Sequence, residues 1–205
     1  MDYDPGSGKV QNVHSKLWRS EEERDKIENR KNIAMDSDKN AQKTEYRRNV
    51  GINNLSYNES RAMTDYVSSN AYVLNDKLRR DIEFTDSEKQ FCNDLDSALK
   101  KMPTYQGNLS RSLYFYSQDD VEEFVKGFQE DQIVKFKEYI STTKGIDLYN
   151  PDGQVQMYIQ NSSKGRDLQD FNRGELEVLY ERNSKFTVLS KIKNDSVWYI
   201  LLEEA

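Results

Sequence analysis

The segment Glu175-Leu176-Glu177 holds the residues of this chain whose types and spacing most clearly suggest chemistry. It opens the run Glu-Leu-Glu-Val-Leu-Tyr, whose initial alternation of polar and apolar residues predicts a β-strand. Residues i and i+2 of a strand point to the same face, so the two carboxylates are expected to stand side by side. Paired carboxylates are the general arrangement for chemistry at a sugar carbon, where one stabilises a cationic transition state and the other positions a nucleophile. The alternative is a solvated strand edge, since charged side chains are mostly exposed.

Two motifs upstream carry groups that could bind phosphate and ribose. Arg111 lies in an apolar-polar strand pattern, and its planar guanidinium matches phosphate oxygens while staying protonated. Ser141, Thr142 and Thr143 end another predicted strand, and their hydroxyls can fix a carboxylate or a ribose by short hydrogen bonds. Taken singly, each motif has an ordinary interpretation, a surface arginine and a strand end.

The predicted elements that must position these motifs are mainly helices in the first part of the packed region and strands in the second. Helical spacing of apolar residues covers residues 60–78, as two helices broken near residues 68–70. Thr85 and Glu88 form a predicted capping box for a helix that runs to about Lys101 before Pro103, and a further helix covers residues 117–128. The predicted strands cover residues 108–116, 133–142, 155–160, 175–181, 185–193 and 196–203. This order predicts an α+β fold rather than alternating βαβ units.

The first 50 residues differ from the rest of the chain. Of these, 21 are Asp, Glu, Lys or Arg, and large apolar residues are sparse. Residues 1–9 are predicted to form a flexible tail and residues 17–31 a charged helix that cannot bury a core alone. We therefore interpret residues 1–50 as an extension or linker and residues 53–205 as the packed domain.

Composition excludes several classes of function. The net charge of -6 argues against a general nucleic-acid-binding surface. The sequence has no apolar run long enough to span a membrane and no signal peptide at its start. A single cysteine, Cys92, permits no internal disulfide and no cysteine-based zinc cluster, and no metal is expected. A catalytic pair of Cys92 with the single histidine, His14, is disfavoured because Cys92 fits a helical pattern as a small hydrophobe.

Together, in the order Arg, Ser-Thr-Thr and Glu-x-Glu, the motifs resemble those of the mono-ADP-ribosyltransferases of the R-S-E class, over about residues 53–205. The chain is similar to the catalytic domains of binary actin-modifying and insecticidal toxins and to transferase domains attached to phage head-morphogenesis proteins. Residues 62–72, 93–101, 177–180 and 184–188 extend the likeness. It implies helices followed by two packed, mainly antiparallel sheets around an NAD cleft.

At the arginine strand the sequence departs from this family's Tyr-Arg-Gly pattern. One register, Tyr105-Gln106-Gly107, puts Gln106 at the arginine position, and the other keeps Arg111 but replaces the flanking residues. We choose Arg111 because it lies within the strand and only it can bind a dianionic diphosphate. Thr143 stands where the family usually has serine.

The resemblance implies NAD as co-substrate. Arg111, with Ser112 beside it, would hold the NAD diphosphate, and Thr142 and Thr143 would shape the nicotinamide pocket. Ser141 would orient Glu177, and Glu177 would bind the ribose 2′-hydroxyl and stabilise the oxocarbenium ion.

The resemblance also implies a protein acceptor. Glu175 would hold and help deprotonate the acceptor, and a glutamate at this position implies an arginine side chain of a host or target protein. Residues 164–174 would contact that protein, either through Phe171 or with Phe171 only anchoring the loop.

Two alternatives remain open at this stage. One is an NAD glycohydrolase that uses the same residues with water as acceptor, and the other is a catalytically idle virion or interaction module. In each case residues 1–50 could attach the domain to a phage head or toxin-delivery protein. We expect the enzyme to act in the cytoplasm of a target cell.

Overall fold

The computed structural model describes residues 54–169, 171 and 176–205, with the backbone alone for residues 69 and 70. The chain divides into the units Met1–Lys43 and Thr44–Ala205, and every described residue belongs to the second. The predictions for residues 1–50 and for Glu175 therefore lie outside the described residues. No helix in the described part has the length and apolar character that crossing a membrane requires.

The helices begin and end close to the predicted positions. They are α1 (Tyr57–Asp65), α2 (Ala71–Arg79), α3 (Asp86–Lys101) and α4 (Gln118–Lys126). The predicted break near residues 68–70 is a π-helical segment, Tyr66–Asn70, which joins α1 to α2. The predicted capping box of Thr85 and Glu88 is confirmed, since each side chain bonds the backbone N–H of the other.

The strands differ from the predictions at several places, among them the end of the first strand, which lies at Leu113 and not at residue 116. They are β1 (Gly107–Leu113), β2 (Ile133–Lys135), β3 (Ile140–Lys144), β4 (Val155–Ser162), β5 (Arg166–Asp167), β6 (Glu177–Tyr180), β7 (Lys185–Asn194) and β8 (Val197–Glu204). The single strand predicted over residues 133–142 is two strands, because β2 pairs with β7 whereas β3 pairs with β6. Strand β5 was not predicted, and β6 begins at Glu177 and not at residue 175.

All eight strands form one mixed sheet in the order β2-β7-β8-β4-β1-β3-β6-β5. The neighbours are antiparallel except β4 and β8, which are parallel. Strands β1 and β3 pair at Leu109↔Lys144 and Ser110↔Thr143, and no residue pair joins them from Arg111 to Leu113, where they diverge. The α+β class is confirmed, but the strands that were expected to form two packed sheets form one continuous sheet, joined at this short junction of β1 with β3.

Each face of the sheet is covered by its own apolar cluster. One cluster packs α4 against the face that carries Val178 and Tyr180 of β6. The other packs α1 and α3 against the face that carries Leu179. Because both faces are covered, every residue of β6 is buried, including Glu177.

A buried carboxylate ties α1 to α3. Glu59 pairs with Lys101 at 2.7 Å and accepts hydrogen bonds from Ser97 Oγ at 2.6 Å and Ser56 N at 2.6 Å. The hydrogen bond from Lys101, followed by those from Ser97 and Ser56, lowers the pKa of Glu59 from 4.5 to about 2. A lowered carboxyl pKa stabilises the fold above the unfolded pKa, and this stabilisation is lost as the pH falls from 4.5 towards 2.

We expect Glu59→Gln to lower the free energy of unfolding by about 2 kcal/mol at pH 7, a typical value for hydrogen bonds to a charged group. The difference from wild type should shrink as the pH is lowered below about 4.5, because Glu59 then takes up a proton in the unfolded wild-type chain but stays ionised in the folded one until the pH nears 2. Urea denaturation between pH 7 and pH 3 measures this. A difference in the free energy of unfolding that stays constant over that range would contradict the conclusion that Glu59 is ionised in the folded protein.

Candidate active site

Glu177 and Ser141 form the centre of the site. In the register of β3 with β6, Thr143 lies opposite Glu177 and Ser141 opposite Leu179, so Ser141, Thr143 and Glu177 share one face. Ser141 Oγ donates a hydrogen bond to Glu177 Oε1 at 2.6 Å. This short bond to a carboxylate fixes the orientation of the buried Glu177 side chain.

Arg111 reaches this pair where β1 and β3 diverge. Its Nη1 donates to the backbone oxygen of Ser141 at 2.5 Å. Gln106, the residue of the competing register, is exposed, and its amide donates to Ser163 O at 3.5 Å. The structure therefore brings Arg111, and not Gln106, to Ser141.

Among the described residues, none forms a direct ion pair with Arg111. None of the ion pairs in the described part of the chain includes its guanidinium, which is half-buried. Burial lowers the pKa of Arg111, and nearby Tyr66, Glu138 and Glu177 act in the opposite direction. An arginine stays protonated in proteins, so this group is a charged fork with donors available for an anion.

Tyr66, at the start of the π-helical segment, faces the same site. Its hydroxyl accepts a hydrogen bond from Asn75 Nδ2 at 3.0 Å, and its ring packs edge-on against Tyr139 at 5.5 Å. Burial raises the pKa of Tyr66, the hydrogen bond with Asn75 and the charge of Arg111 lower it, and Glu177 raises it. Tyr66 belongs to the apolar cluster that contains Leu179, which lies on the same face of β6 as Glu177. Sequence reasoning did not single out Tyr66, although it lies in the run 62–72 that extended the family resemblance.

A second buried carboxylate, Glu138, borders the site. Arg79 Nη1 of α2 lies 3.6 Å from Glu138 Oε1. The charge of Glu138 raises the pKa of Arg111, and the charge of Arg79 lowers it. These two effects on the pKa of Arg111 therefore partly cancel. Nothing in the sequence marked Glu138, which falls among ordinary charged residues of a predicted strand.

The other predicted cofactor-binding residues divide between the two faces. Thr143 lies with Ser141 and Glu177. Thr142 is buried on the opposite face, where its hydroxyl donates to Val178 O at 2.7 Å, so the structure does not bring it to the pocket side as we had expected. Ser112 Oγ accepts a hydrogen bond from Asn150 N at 3.2 Å and so holds the loop after β3.

The predicted acceptor-binding residues are only partly described. Phe171 is half-buried and packs against the helical cluster, which provides the contact that the anchoring alternative requires. Leu176, beside Glu177, is exposed although it is a large apolar residue, and sequence reasoning missed it. The position of Glu175 lies outside the described residues, so its place on the face of Glu177 stays a prediction.

Comparison with protein-family models identifies the class of protein to which this chain, with its contacts among Arg111, Ser141 and Glu177, belongs. The sequence model of the ADP-ribosyltransferase exoenzyme family matches residues 36–205. The chain therefore belongs to the ADP-ribosyltransferase exoenzyme family, as the resemblance in the sequence had implied.

Individual relatives are distant. An NAD(+)–protein-arginine ADP-ribosyltransferase, Tre1 of Serratia proteamaculans, is 26% identical over 145 residues, which are 70% of this chain and 31% of that protein. The chain thus spans about a third of the length of this relative.

Solved structures agree on the fold. Exoenzyme S of Pseudomonas aeruginosa, in complex with human 14-3-3 protein beta and carba-NAD, superposes with a TM-score of 0.63 at 21% identity, covering 82% of each chain. The Vis toxin of Vibrio splendidus, in complex with agmatine, superposes with a TM-score of 0.60 at 16% identity, covering all of this chain and 88% of Vis.

Proposed function

We propose that this chain is an NAD-dependent mono-ADP-ribosyltransferase that transfers ADP-ribose to an arginine side chain of a target protein and releases nicotinamide. The observation that carries the proposal is the Ser141–Glu177 hydrogen bond of 2.6 Å beside the Arg111 guanidinium. An oriented carboxylate next to a cationic fork suits a substrate with a diphosphate attached to a ribose. Family membership supports the same proposal.

Arg111 binds the diphosphate of NAD in this proposal. Its Nη1 is held by Ser141 O, which leaves donors of the fork for phosphate oxygens. The residue lies at the β1–β3 junction, so the diphosphate would sit where the sheet opens. Exoenzyme S, solved with carba-NAD, has the same fold.

Glu177 acts at the ribose carbon. When the bond from ribose C1′ to nicotinamide breaks, its electron pair leaves with nicotinamide, and positive charge develops on the sugar. The Glu177 carboxylate, oriented by Ser141, stabilises that charge. Because the site is buried and already oriented, this stabilisation needs no reorganisation during the reaction.

An arginine acceptor is supported by Glu175 and by two similar proteins. A guanidinium is a poor nucleophile until a carboxylate removes a proton, and Glu175 lies two residues before Glu177 in the sequence. The new bond joins ribose C1′ to a guanidinium nitrogen, whose proton goes to Glu175. Tre1 is named as a protein-arginine transferase, and Vis was solved with agmatine, a guanidine compound.

The proposal is tested with purified chain, NAD and agmatine. We expect nicotinamide release without acceptor and ADP-ribosyl-agmatine when agmatine is added, both measured by liquid chromatography. Fast nicotinamide release without any transfer would support the NAD glycohydrolase alternative. Absence of both products would contradict the proposal and leave the idle-module alternative. Labelling of a host lysate with tagged NAD would then identify the protein target.

Arg111→Lys is expected to weaken NAD binding by about tenfold, equivalent to one charge-assisted hydrogen bond. The charge is kept, but lysine cannot form the two-pronged contact. Isothermal titration with NAD measures the affinity. The control is Arg182→Lys, which alters another partly buried arginine that binds Asp96 at 2.7 Å, and which should leave NAD affinity unchanged. Equal NAD affinities for wild type and Arg111→Lys would contradict the choice of Arg111 and favour the register that puts Gln106 at the arginine position.

The proposal has two further parts. The enzyme acts inside a target cell, and residues 1–50 attach it to a toxin-delivery or phage head protein. Their support is the charged composition of that segment. Deleting residues 1–35, which precede the family match, should leave nicotinamide release unchanged if this part of the segment serves only attachment.

A further inference from the structure

Tyr139, the residue before β3, is tied to two helices. Its side chain is fully buried, and its hydroxyl donates a hydrogen bond to Asp96 Oδ1 of α3 at 2.5 Å, with Cys92 O further away at 3.3 Å. Its backbone N–H donates to Asn75 Oδ1 of α2 at 3.1 Å. Burial raises the pKa of Tyr139 and the hydrogen bond with Asp96 raises it further, so the hydroxyl stays protonated and remains a donor. The start of β3 is therefore held by α2 and α3.

The Asp96 carboxylate also binds the chain just beyond β6. Arg182, two residues after the end of β6, donates to Asp96 Oδ2 from Nε at 2.9 Å and from Nη2 at 2.7 Å. In the register of β3 with β6, Ile140 pairs with Tyr180, so the two residues that bind Asp96 lie just outside this pair. One oxygen of Asp96 thus binds the start of β3, and the other binds the chain after β6. We call Asp96, Tyr139 and Arg182 the Asp96 clamp.

Strand β3 has a strand partner on one side only at the position of Ser141. Its pairing with β1 covers Thr143 and the residue after it, whereas its pairing with β6 extends from Thr143 to Ile140. Ser141 lies two residues after Tyr139, and its Oγ donates to Glu177 Oε1 at 2.6 Å. The place of Ser141 relative to Glu177 is therefore set by the pairing with β6 and by the clamp, which joins the same two strands through one carboxylate.

We propose that Asp96 is a positioning residue for the cleavage of NAD, which holds the start of β3 and the end of β6 together so that Ser141 keeps Glu177 oriented. The inference rests on the proposed role of Glu177 at the ribose carbon. It also gives a task to residues 93–101, which contribute to the family resemblance but have no part in the proposed function. Arg111 does not belong to the clamp, so loss of the clamp should slow nicotinamide release more than it weakens NAD binding.

The test compares Asp96→Asn and Tyr139→Phe with wild type. Asp96→Asn removes the charge that both partners bind, and kcat for nicotinamide release at saturating NAD should fall by about tenfold to a hundredfold, the range that a displacement of about 1 Å can cost. Tyr139→Phe removes only the hydroxyl, and its kcat should fall by about threefold to tenfold, the worth of one hydrogen bond. The dissociation constant for NAD, measured by isothermal titration, should change by less than the loss of charge-assisted binding expected of Arg111→Lys.

A double variant and a control separate positioning from a general loss of stability. Because both substitutions remove the same hydrogen bond, Asp96→Asn combined with Tyr139→Phe should lower kcat no further than Asp96→Asn alone. The matched control is Glu59→Gln, since Glu59 is another buried carboxylate that binds α3, through Ser97 and Lys101. It should lower the unfolding temperature but leave kcat unchanged when the rate is measured well below that temperature.

Wild-type kcat in the clamp variants, additive losses in the double variant, or a loss of NAD affinity as large as the loss of kcat would each overturn the positioning role. If Asp96→Asn does not fold, Tyr139→Phe decides alone, because it keeps the ring and leaves the ion pair of Asp96 with Arg182 in place. A wild-type protein that releases no nicotinamide from NAD would instead overturn the proposed function, and this inference with it.

Discussion

Glu177→Gln is expected to abolish both NAD hydrolysis and ADP-ribose transfer, each by on the order of 10²-fold or more. The glutamine side chain has nearly the same shape, and its oxygen can still accept the hydrogen bond that Ser141 Oγ donates to Glu177 Oε1. Only the negative charge is lost, so the fold should stay intact while the developing positive charge of the sugar loses its main stabilising group.

The rate of nicotinamide release measures this effect, and circular dichroism checks the fold. Glu203→Gln is a matched control, because Glu203 is a partly buried carboxylate of β8 that accepts a hydrogen bond from Gln160 at 3.2 Å. That variant should keep the wild-type rate. Unchanged nicotinamide release from Glu177→Gln would exclude Glu177 as the catalytic carboxylate.

Glu175→Gln is expected to abolish arginine modification while much of the slow NAD hydrolysis remains. A guanidinium is protonated at neutral pH and needs a carboxylate to take its proton. Water needs far less assistance once the oxocarbenium ion has formed. The two glutamate variants should therefore differ: Glu175→Gln loses transfer, whereas Glu177→Gln loses both reactions.

Parallel assays of nicotinamide release and of ADP-ribosyl-agmatine formation measure this difference on one preparation of each variant. If Glu175→Gln modifies arginine at the wild-type rate, Glu175 is a solvated residue and the arginine-specific proposal fails.

Local sequence signals were sufficient for the helices. The capping box of Thr85 and Glu88 and the stop before Pro103 predicted α3, and its bounds are Asp86–Lys101. These signals act within one turn of helix, so no distant residue is needed to interpret them. The same locality explains why the run over residues 133–142 was misassigned: its interruption depends on the pairing of its two halves with different strands, β7 and β6, which come much later in the chain.

The candidate active site was likewise predictable from the sequence in part, and in part decided by the tertiary structure. Residue type and order were sufficient to select Arg111, Ser141 and Glu177 as candidates, because only certain side chains can bind a diphosphate or stabilise a cationic sugar. Sequence alone could not decide that Thr142 faces away, since that depends on the register of β3 against β6.

Only the tertiary structure showed that Tyr66 and Glu138 act on the pKa of Arg111. These residues come from separate segments of the chain, and neither has a spacing that marks it. The sequence determined which chemical groups this protein has and where its local elements form. Their arrangement in space depended on where β1 and β3 diverge, because long-range strand pairing and packing, rather than local propensity, decide which side chains meet.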